Sequence, residues 1–176
     1  MEYFDILDEE GDKTGEKKLR SEVHRDGDWH RNVHILIVNS KGEALLQHRS
    51  KDKDSHPDMW DMSSTGHILA GEEDNESALR EIKEEVGIDV SLAQLKNVGE
   101  TKQSEILKGG SFIDNEFASV YLVQAGFDPR QVKFTDGEVQ NIKWVPLAEL
   151  KKWVDEGKPD LIHRPAYKLC FKAINL

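Results

Sequence analysis

Apolar positions along the chain come in short blocks, none near the roughly 18 residues that a membrane-spanning helix needs. Residues 2–7 (Glu-Tyr-Phe-Asp-Ile-Leu) read as a short strand, and Asp8 to Gly15, with Gly11 and Gly15, as a hairpin-type loop. Leu19 to His24 predicts a helical turn. The longest apolar block, Val33 to Val38, is broken only by His34, and its length and β-branching predict a buried strand. Asn39-Ser40-Lys41-Gly42 turns it into a second strand, Ala44 to Arg49. A polar loop follows from Ser50 to Pro57, then an extended stretch from Asp61 to Ser64.

The clearest helix comes next. Ala78, Leu79, Ile82 and Val86 form an apolar stripe with acidic residues opposite. Asp74 or Asn75 is placed to cap its start, and Gly87 suits the position just past its end. Strands are predicted at Lys96 to Gln103, Asn115 to Val123 and Val139 to Trp144, with helices after Pro146 and Pro165. The alternation lacks a regular βαβ rhythm. It predicts an α/β fold with a mixed sheet and helices on both faces, and no repeat or linker divides it. Residues 1–176 therefore read as one domain, with 1–30 as an N-terminal extension packing on it.

Charge changes the picture. Acids outnumber bases 34 to 24, for a net charge of −10. That sign disfavours a nucleic-acid polymer and an anionic membrane surface as partners. It leaves room for a small phosphorylated molecule if a divalent cation mediates the contact. The N-terminus lacks a signal-peptide pattern, and the single Cys170 fits a reducing compartment, so the expected location is cytoplasmic.

Half of that net charge is concentrated between Gly66 and Ile88. The spacing there is Gly66, five residues, Glu72, seven residues, Arg80-Glu81-Ile82, one residue, Glu84-Glu85, one residue, Gly87-Ile88. On a helix Glu81, Glu84 and Glu85 share a face opposite Ile82 and Val86. Carboxylates crowded in this way repel one another unless a cation neutralises them, and hard oxygen ligands suit Mg²⁺ or Mn²⁺. Arg80 can hold Glu72 or Glu76, while Gly66 and Gly71 allow a tight loop to pass under the cation. A Glu-Glu pair alone is usually a solvated helix face. Seven fixed residue types at about 7% each, with two apolar positions, reduce a chance match to roughly one in a billion per starting point.

This segment resembles the Nudix box of the Nudix hydrolases at every defining position. The resemblance implies an α/β/α sandwich that hydrolyses a nucleoside diphosphate derivative or related organic diphosphate with Mg²⁺ or Mn²⁺. It makes Glu81, Glu84 and Glu85 the expected metal ligands, with the backbone carbonyl just before Gly66 as a further one. Arg80 and Glu72 become the pair that fixes the helix against its loop. Metals at such a site neutralise the bridging diphosphate and lower the pKa of a bound water.

A narrower resemblance links Val23 to Glu72 to the branch that includes type I isopentenyl diphosphate isomerase. It rests on His24, His34, Pro57-Asp58-Met59-Trp60, Gly66-His67 and Asp114-Asn115-Glu116. In that isomerase, matching histidines and two acids bind a metal, and a cysteine just before the Gly-His pair is catalytic. Here Thr65 stands at that position and cannot supply a thiol. The complete box and Thr65 favour a hydrolase on an isomerase-like frame; isomerase-like activity and a non-catalytic nucleotide-binding module are the alternatives.

Outside the box, Glu116 is a candidate general base or extra ligand, and Asp114 a weaker one. His34 interrupts a buried strand and is a candidate site residue, as is His67; His24 and His30 can simply anchor the N-terminal segment. Arg49, His67 and Trp60 are the expected substrate-binding residues, although a Trp between Met59 and Met62 is more often core. Signatures of particular Nudix substrates are mostly missing: no proline follows Gly87 until Pro129, and no tyrosine stands at Lys102 to Ser104. The expected partner is a small diphosphate, with the polar residues 1–30 a candidate for exchange in a homodimer.

Overall fold

A computed structural model describes residues 1–176 except 133, 135 and 136. Among these residues, one mixed sheet holds β1 (Tyr3–Leu7), β2 (Lys13–Leu19), β3 (Trp29–Val38), β4 (Glu43–Arg49), β5 (Trp60–Asp61), β6 (Ser64–His67), β7 (Leu95–Leu107), β8 (Phe112–Gln124) and β9 (Val139–Pro146). Its helices are α1 (Arg20–Asp26), α2 (Asp74–Glu81), α3 (Leu147–Glu156) and α4 (Ala166–Ala173). No helix among the described residues is long and apolar enough to cross a membrane.

The buried strand β3 is the axis of the sheet. It runs parallel to β8, from Trp29 opposite Asn115 to Val38 opposite Gln124. Along its other edge it pairs antiparallel with β6, Asn32 opposite His67 and Ile35 opposite Ser64. Strand alternation divides its side chains between two cores. Val33, Ile35 and Ile37 pack against Ala78, Ile82 and Val86 of the Glu-rich helix. Leu36 and Val38 pack instead with Leu150 of α3 and with Tyr167, Cys170 and Phe171 of α4. Helices thus cover both faces, giving the α/β/α sandwich expected from the sequence.

The same alternation creates the site. Moving toward the start of β3, the positions in line with Leu36 are His34, Asn32 and His30; on β8, those in line with Val120 include Glu116 and Asp114. One stretch of this sheet face is therefore apolar and covered by helices, and the neighbouring stretch is polar. His30, Asn32, His34 and Glu116 are all buried there.

Three local expectations are corrected. The expected loop Asp8 to Gly15 is shorter, because Lys13–Leu19 forms a strand paired with β1. Its lysines and exposure are those of an edge strand, so it carries no apolar alternation to read. The cap of α2 is Glu73, not Asp74 or Asn75, and its N–H donates to Glu76 Oε2 (3.3 Å). Asp74 is drawn away by Arg31 (2.6 Å) and by Ser119. Finally, α2 widens after Glu81 into a π-turn over Ile82–Val86, closed by Gly87 N–H on Ile82 O, with Gly87 left-handed at φ 73°.

Candidate active site

The Nudix-box residues sit where α2 and its π-turn cross β6. Glu85 is buried, and its Oε2 accepts from Thr65 N (2.9 Å), Ser64 Oγ (2.8 Å) and Gln47 Nε2 (3.0 Å). Its Oε1 has no hydrogen-bond partner among the described residues; Lys53 Nζ stands 3.9 Å away. Glu81 lies flat on the β6 backbone at Gly66. A Cβ on residue 66 would fall 2.0 Å from the Glu81 carboxyl carbon, so only glycine fits. Glu84 is half-exposed and lines the same cleft.

Burial, and then the Glu85 charge, push Glu81 up to about 8. Burial likewise raises Glu85 against the opposing charge of Lys53. Two desolvated carboxylates, one with an orphaned oxygen, form a donor set that fits a hard divalent cation.

Arg80 ties this set together. Its Nε and Nη2 donate to both oxygens of Glu72 (3.0 Å each), its Nη1 to Glu81 (2.6 Å) and Glu84 (3.1 Å), and its Nη2 also to His67 O (3.0 Å). Burial raises Glu72, but the Arg80 and Ser77 bonds outweigh it and hold its carboxyl below the usual range. Glu76 takes no part. Gly71 is also engaged elsewhere, its N–H donating to Asp5 of β1 (3.0 Å).

A second donor cluster lies alongside. His24 of α1, His30 of β3, His67 of β6 and Asp114 of β8 place one ligand atom each within 4.8 Å of one another. Asp114 Oδ1 is 3.3 Å from His24 Nε2 and 3.5 Å from His30 Nε2. All three imidazole Nε2 atoms are buried without a hydrogen-bond partner among the described residues. Burial holds His30 down at about 4 and His67 well below its ordinary value, so both rings are neutral at pH 7. Neutral imidazoles beside a carboxylate can ligate a divalent cation.

The floor of the cleft carries the opposite charge. Arg164 donates from Nε and Nη2 to the two oxygens of Asp61 (2.7 Å each). Burial pushes Asp61 up, yet the Arg164 charge and bonds bring it to about 2. Glu116 accepts from Asn32 and from Gln103 Nε2 (2.6 Å), and burial, reinforced by Asp114, raises it to about 7. Arg49 is buried with Nη1 3.6 Å from Asp61 and Nη2 bonded to Ser55 O (3.0 Å).

The NUDIX domain family matches residues 28–165. The chain belongs to this family. Nudix hydrolase 3 of Arabidopsis thaliana is 43% identical over 161 residues, 90% of this chain, which spans 21% of the plant protein's length. Isopentenyl-diphosphate Delta-isomerase 2 of Photorhabdus laumondii is 31% identical over 155 residues, 88% of this chain and 80% of that protein. The crystal structure of the MutT protein from Methanosarcina mazei Go1 matches with a TM-score of 0.61 at 26% identity, covering 83% of this chain and 91% of that one.

Within this Nudix domain the residues expected from sequence do not all meet. Glu81, Glu84, Arg80, Gly66, His67, Arg49 and Glu116 line one cleft, with Glu85 buried behind it. Trp60 lies apart: one face stacks on His48 (4.6 Å between centroids), and Lys143 Nζ sits 3.7 Å from the ring centroid. His34 is not in the histidine cluster; its Nε2 faces Arg164 Nη1 at 3.1 Å. His30 takes the place in the cluster instead. The i, i+2, i+4 alternation of His30, Asn32 and His34 along one strand was the available signal. Asp61, Lys53 and Arg164 carry no sequence motif that would mark them.

Proposed function

We propose that this Nudix domain is a metal-dependent diphosphohydrolase that cleaves the diphosphate linkage of a nucleoside diphosphate derivative or related organic diphosphate. The observation that carries this reading is the pair of buried carboxylates against β6, Glu81 at Gly66 and Glu85 at Ser64 and Thr65, with Glu85 Oε1 left without a hydrogen-bond partner among the described residues. Glu81, Glu84, Glu85 and the backbone carbonyl before Gly66 would hold Mg²⁺ or Mn²⁺. Bound there, the cation supplies charge neutralisation for the diphosphate and an acidified water. Arg49 and Lys53, on the same cleft wall, bind substrate phosphate oxygens through charge-assisted donors. Arg80 holds Glu81 and Glu84 in register. Glu116, buried at the cleft and raised toward neutrality, would take a proton as general base. The lone cysteine supports a reducing, cytoplasmic setting.

The test is phosphorus NMR of nucleoside diphosphate derivatives and isoprenoid diphosphates, with and without Mn²⁺. Phosphate or nucleoside monophosphate release that needs the cation supports the reading. Full turnover by both Glu84→Gln and Glu85→Gln overturns the metal assignment.

A second reading, isomerisation of an isoprenoid diphosphate, is favoured by the His24–His30–His67–Asp114 cluster and by the isomerase relative. Thr65 opposes it, since its hydroxyl, 3.5 Å from Asp61 Oδ2, is no substitute for a thiol. Isomer formation without phosphorus release would establish it.

A further inference from the structure

Residues 50–58 cross the mouth of the cleft as a strap. At their ends they are pinned beside β9: Ser50 N donates to Glu138 O (2.8 Å), and Gln140 Nε2 donates to Asp58 Oδ1 (2.8 Å). At the middle they reach the hairpin that joins β7 to β8. There Lys108 Nζ donates to Asp54 Oδ1 (2.9 Å), and His56 Nε2 pairs with Glu105 Oε2 (2.7 Å). Strand β9 borders β4 and β8 borders β3, so the strap spans the part of the sheet that bears β6 and the Nudix-box carboxylates. Its own side chains face the site. Lys53 and Ser55 line the cleft with Glu81 and Glu84, and Arg49 Nη2 donates to Ser55 O (3.0 Å).

The contacts that hold the strap suit it to opening. Both pairs with the hairpin are exposed, with side-chain exposures from 20% to 64%, and such pairs are weak and screened by salt. The backbone is left-handed at His56 (φ 46°) and Asp58 (φ 60°), and again at Lys108 (φ 51°), where the hairpin holds the strap. L side chains seldom adopt that conformation, and it recurs at clamps and switch segments. Lys53 supplies the link to the chemistry. Its ammonium bonds Glu138 and stands 3.9 Å from Glu85 Oε1, the oxygen without a hydrogen-bond partner among the described residues. Lys53 therefore lends its charge to the place that a divalent cation would take. A cation held by Glu85 repels that ammonium, whereas the phosphate oxygens of a bound diphosphate attract it.

We propose that residues 50–58 are a lid, latched over the cleft by Asp54–Lys108 and His56–Glu105 and governed by Lys53: a cation at Glu85 loosens it, and a diphosphate draws it shut. Asp54, His56, Glu105 and Lys108 are then positioning residues that act through Lys53. The inference rests on the diphosphohydrolase reading for its ligands, but the lid is read without turnover. Hydrogen exchange followed by mass spectrometry would report on peptides over 50–58 in the full chain. The states compared are the protein alone, with Mg²⁺, and with Mg²⁺ plus methylenediphosphonate, a diphosphate mimic that cannot be hydrolysed. The variants are Lys53→Met, Lys108→Arg, and the double change Lys108→Glu with Glu105→Gln. Phosphorus NMR on a panel of diphosphates would supply KM and kcat.

In the wild type the strap should exchange at least about threefold faster with Mg²⁺, and slow again by as much or more when the mimic is added. Lys53→Met should exchange alike with and without Mg²⁺. The double variant should exchange at least about threefold faster than wild type at the strap, with α2 and β3 unchanged, while Lys108→Arg keeps wild-type behaviour. On whichever diphosphate the wild type hydrolyses, the double variant should raise KM about three- to tenfold and leave kcat within about twofold. Equal exchange of the strap in all three wild-type states overturns the proposal, as does a Mg²⁺ response that survives in Lys53→Met. So does faster exchange throughout the double variant, which would make the hairpin contacts structural. Lid responses with no phosphorus release from any diphosphate support the lid and sink the hydrolase reading. Release with wild-type KM and wild-type strap exchange in the double variant sinks the lid and leaves that reading standing.

Discussion

The carboxyl carbon of Glu81 lies 2.0 Å from the point where a side chain at position 66 would begin. Gly66 and Glu81 therefore fit together only while residue 66 has no Cβ. The nearest obstructing atoms are all of the Glu81 carboxylate, whose Oε1 is already held by Arg80 at 2.6 Å. Gly66→Ala must displace the carboxylate or the helix that bears it. Expected is a stability loss of about 1–3 kcal/mol from overpacking, together with a fall in turnover of roughly 100-fold. Thermal melts and steady-state kinetics on the same sample check both; wild-type activity in a folded alanine variant would remove Gly66 from the site.

Glu85→Gln should separate activity from stability. The amide keeps the volume, and its carbonyl can still accept from Thr65, Ser64 and Gln47. What it loses is the charge at Oε1, the oxygen without a hydrogen-bond partner among the described residues. Turnover should drop roughly 100-fold or more while Tm changes by no more than about 3 °C. A large loss of Tm would instead mark Glu85 as a structural residue.

The raised Glu81 gives a pH signature. Its folded value of about 8 exceeds the ordinary 4.5, so its contribution to stability is fully present below 4.5 and is lost as pH rises through 8. The metal-free protein should therefore melt lower at pH 8 than at pH 6. A cation must displace that proton to bind, so apparent Mg²⁺ affinity should climb up to about tenfold per pH unit through this range and flatten above 8. The Tm increase on adding Mg²⁺ should accordingly be larger at pH 8. Melts at both pH values, with and without Mg²⁺, decide this, and a cation effect independent of pH would contradict it.

The parts of this site that were legible in the sequence are those built on one element. Glu81, Glu84, Glu85 and Arg80 lie within one turn and a half of helix, where spacing alone fixes the face. The central strand and the helices after Pro146 and Pro165 were likewise marked by local pattern. The histidine cluster was not, because it draws on α1, β3, β6 and β8, and its geometry depends on the parallel register of β3 with β8. His34 and His30 look equally placed in sequence; only their tertiary neighbours separate them, Asp114 of β8 for His30 and Arg164, before α4, for His34. Edge strand β2 leaves no sequence signal for a different reason: an exposed ladder of lysines has no buried face to read.

Arg80 shows what planarity contributes. Its fork reaches both oxygens of Glu72 while Nη1 spans Glu81 and Glu84, which no ammonium can do at once. Arg80→Lys should keep the charge yet lose the paired geometry, lowering stability by about 1 kcal/mol because the site is partly exposed. The larger effect should be on metal affinity, weakened about 10- to 100-fold, as when a ligand loses the group that orients it. Titration calorimetry with Mn²⁺ measures it, and wild-type affinity in Arg80→Lys would show that the carboxylates need no such support.

The cluster of His24, His30, His67 and Asp114 makes its own prediction, because burial holds the His30 and His67 rings neutral and all three Nε2 atoms lack hydrogen-bond partners among the described residues. Three imidazoles and a carboxylate are softer donors than the all-oxygen set of the Nudix box, so the two sites should differ in the ions they prefer. Co²⁺ should bind the histidine site first and develop visible ligand-field bands, at about one equivalent per chain. Those bands should survive in Glu85→Gln, since that residue belongs to the other site. They should disappear when His30 and His67 are both changed to Asn, a pair of substitutions that keeps the pocket polar. Phe4 stacks on both rings, at 5.4 and 4.7 Å, so the double variant needs a melt to show that the N-terminal strand remains docked. If the bands vanish in Glu85→Gln and persist in the histidine variant, the cluster is a packed polar core and the cation belongs to the Nudix carboxylates alone.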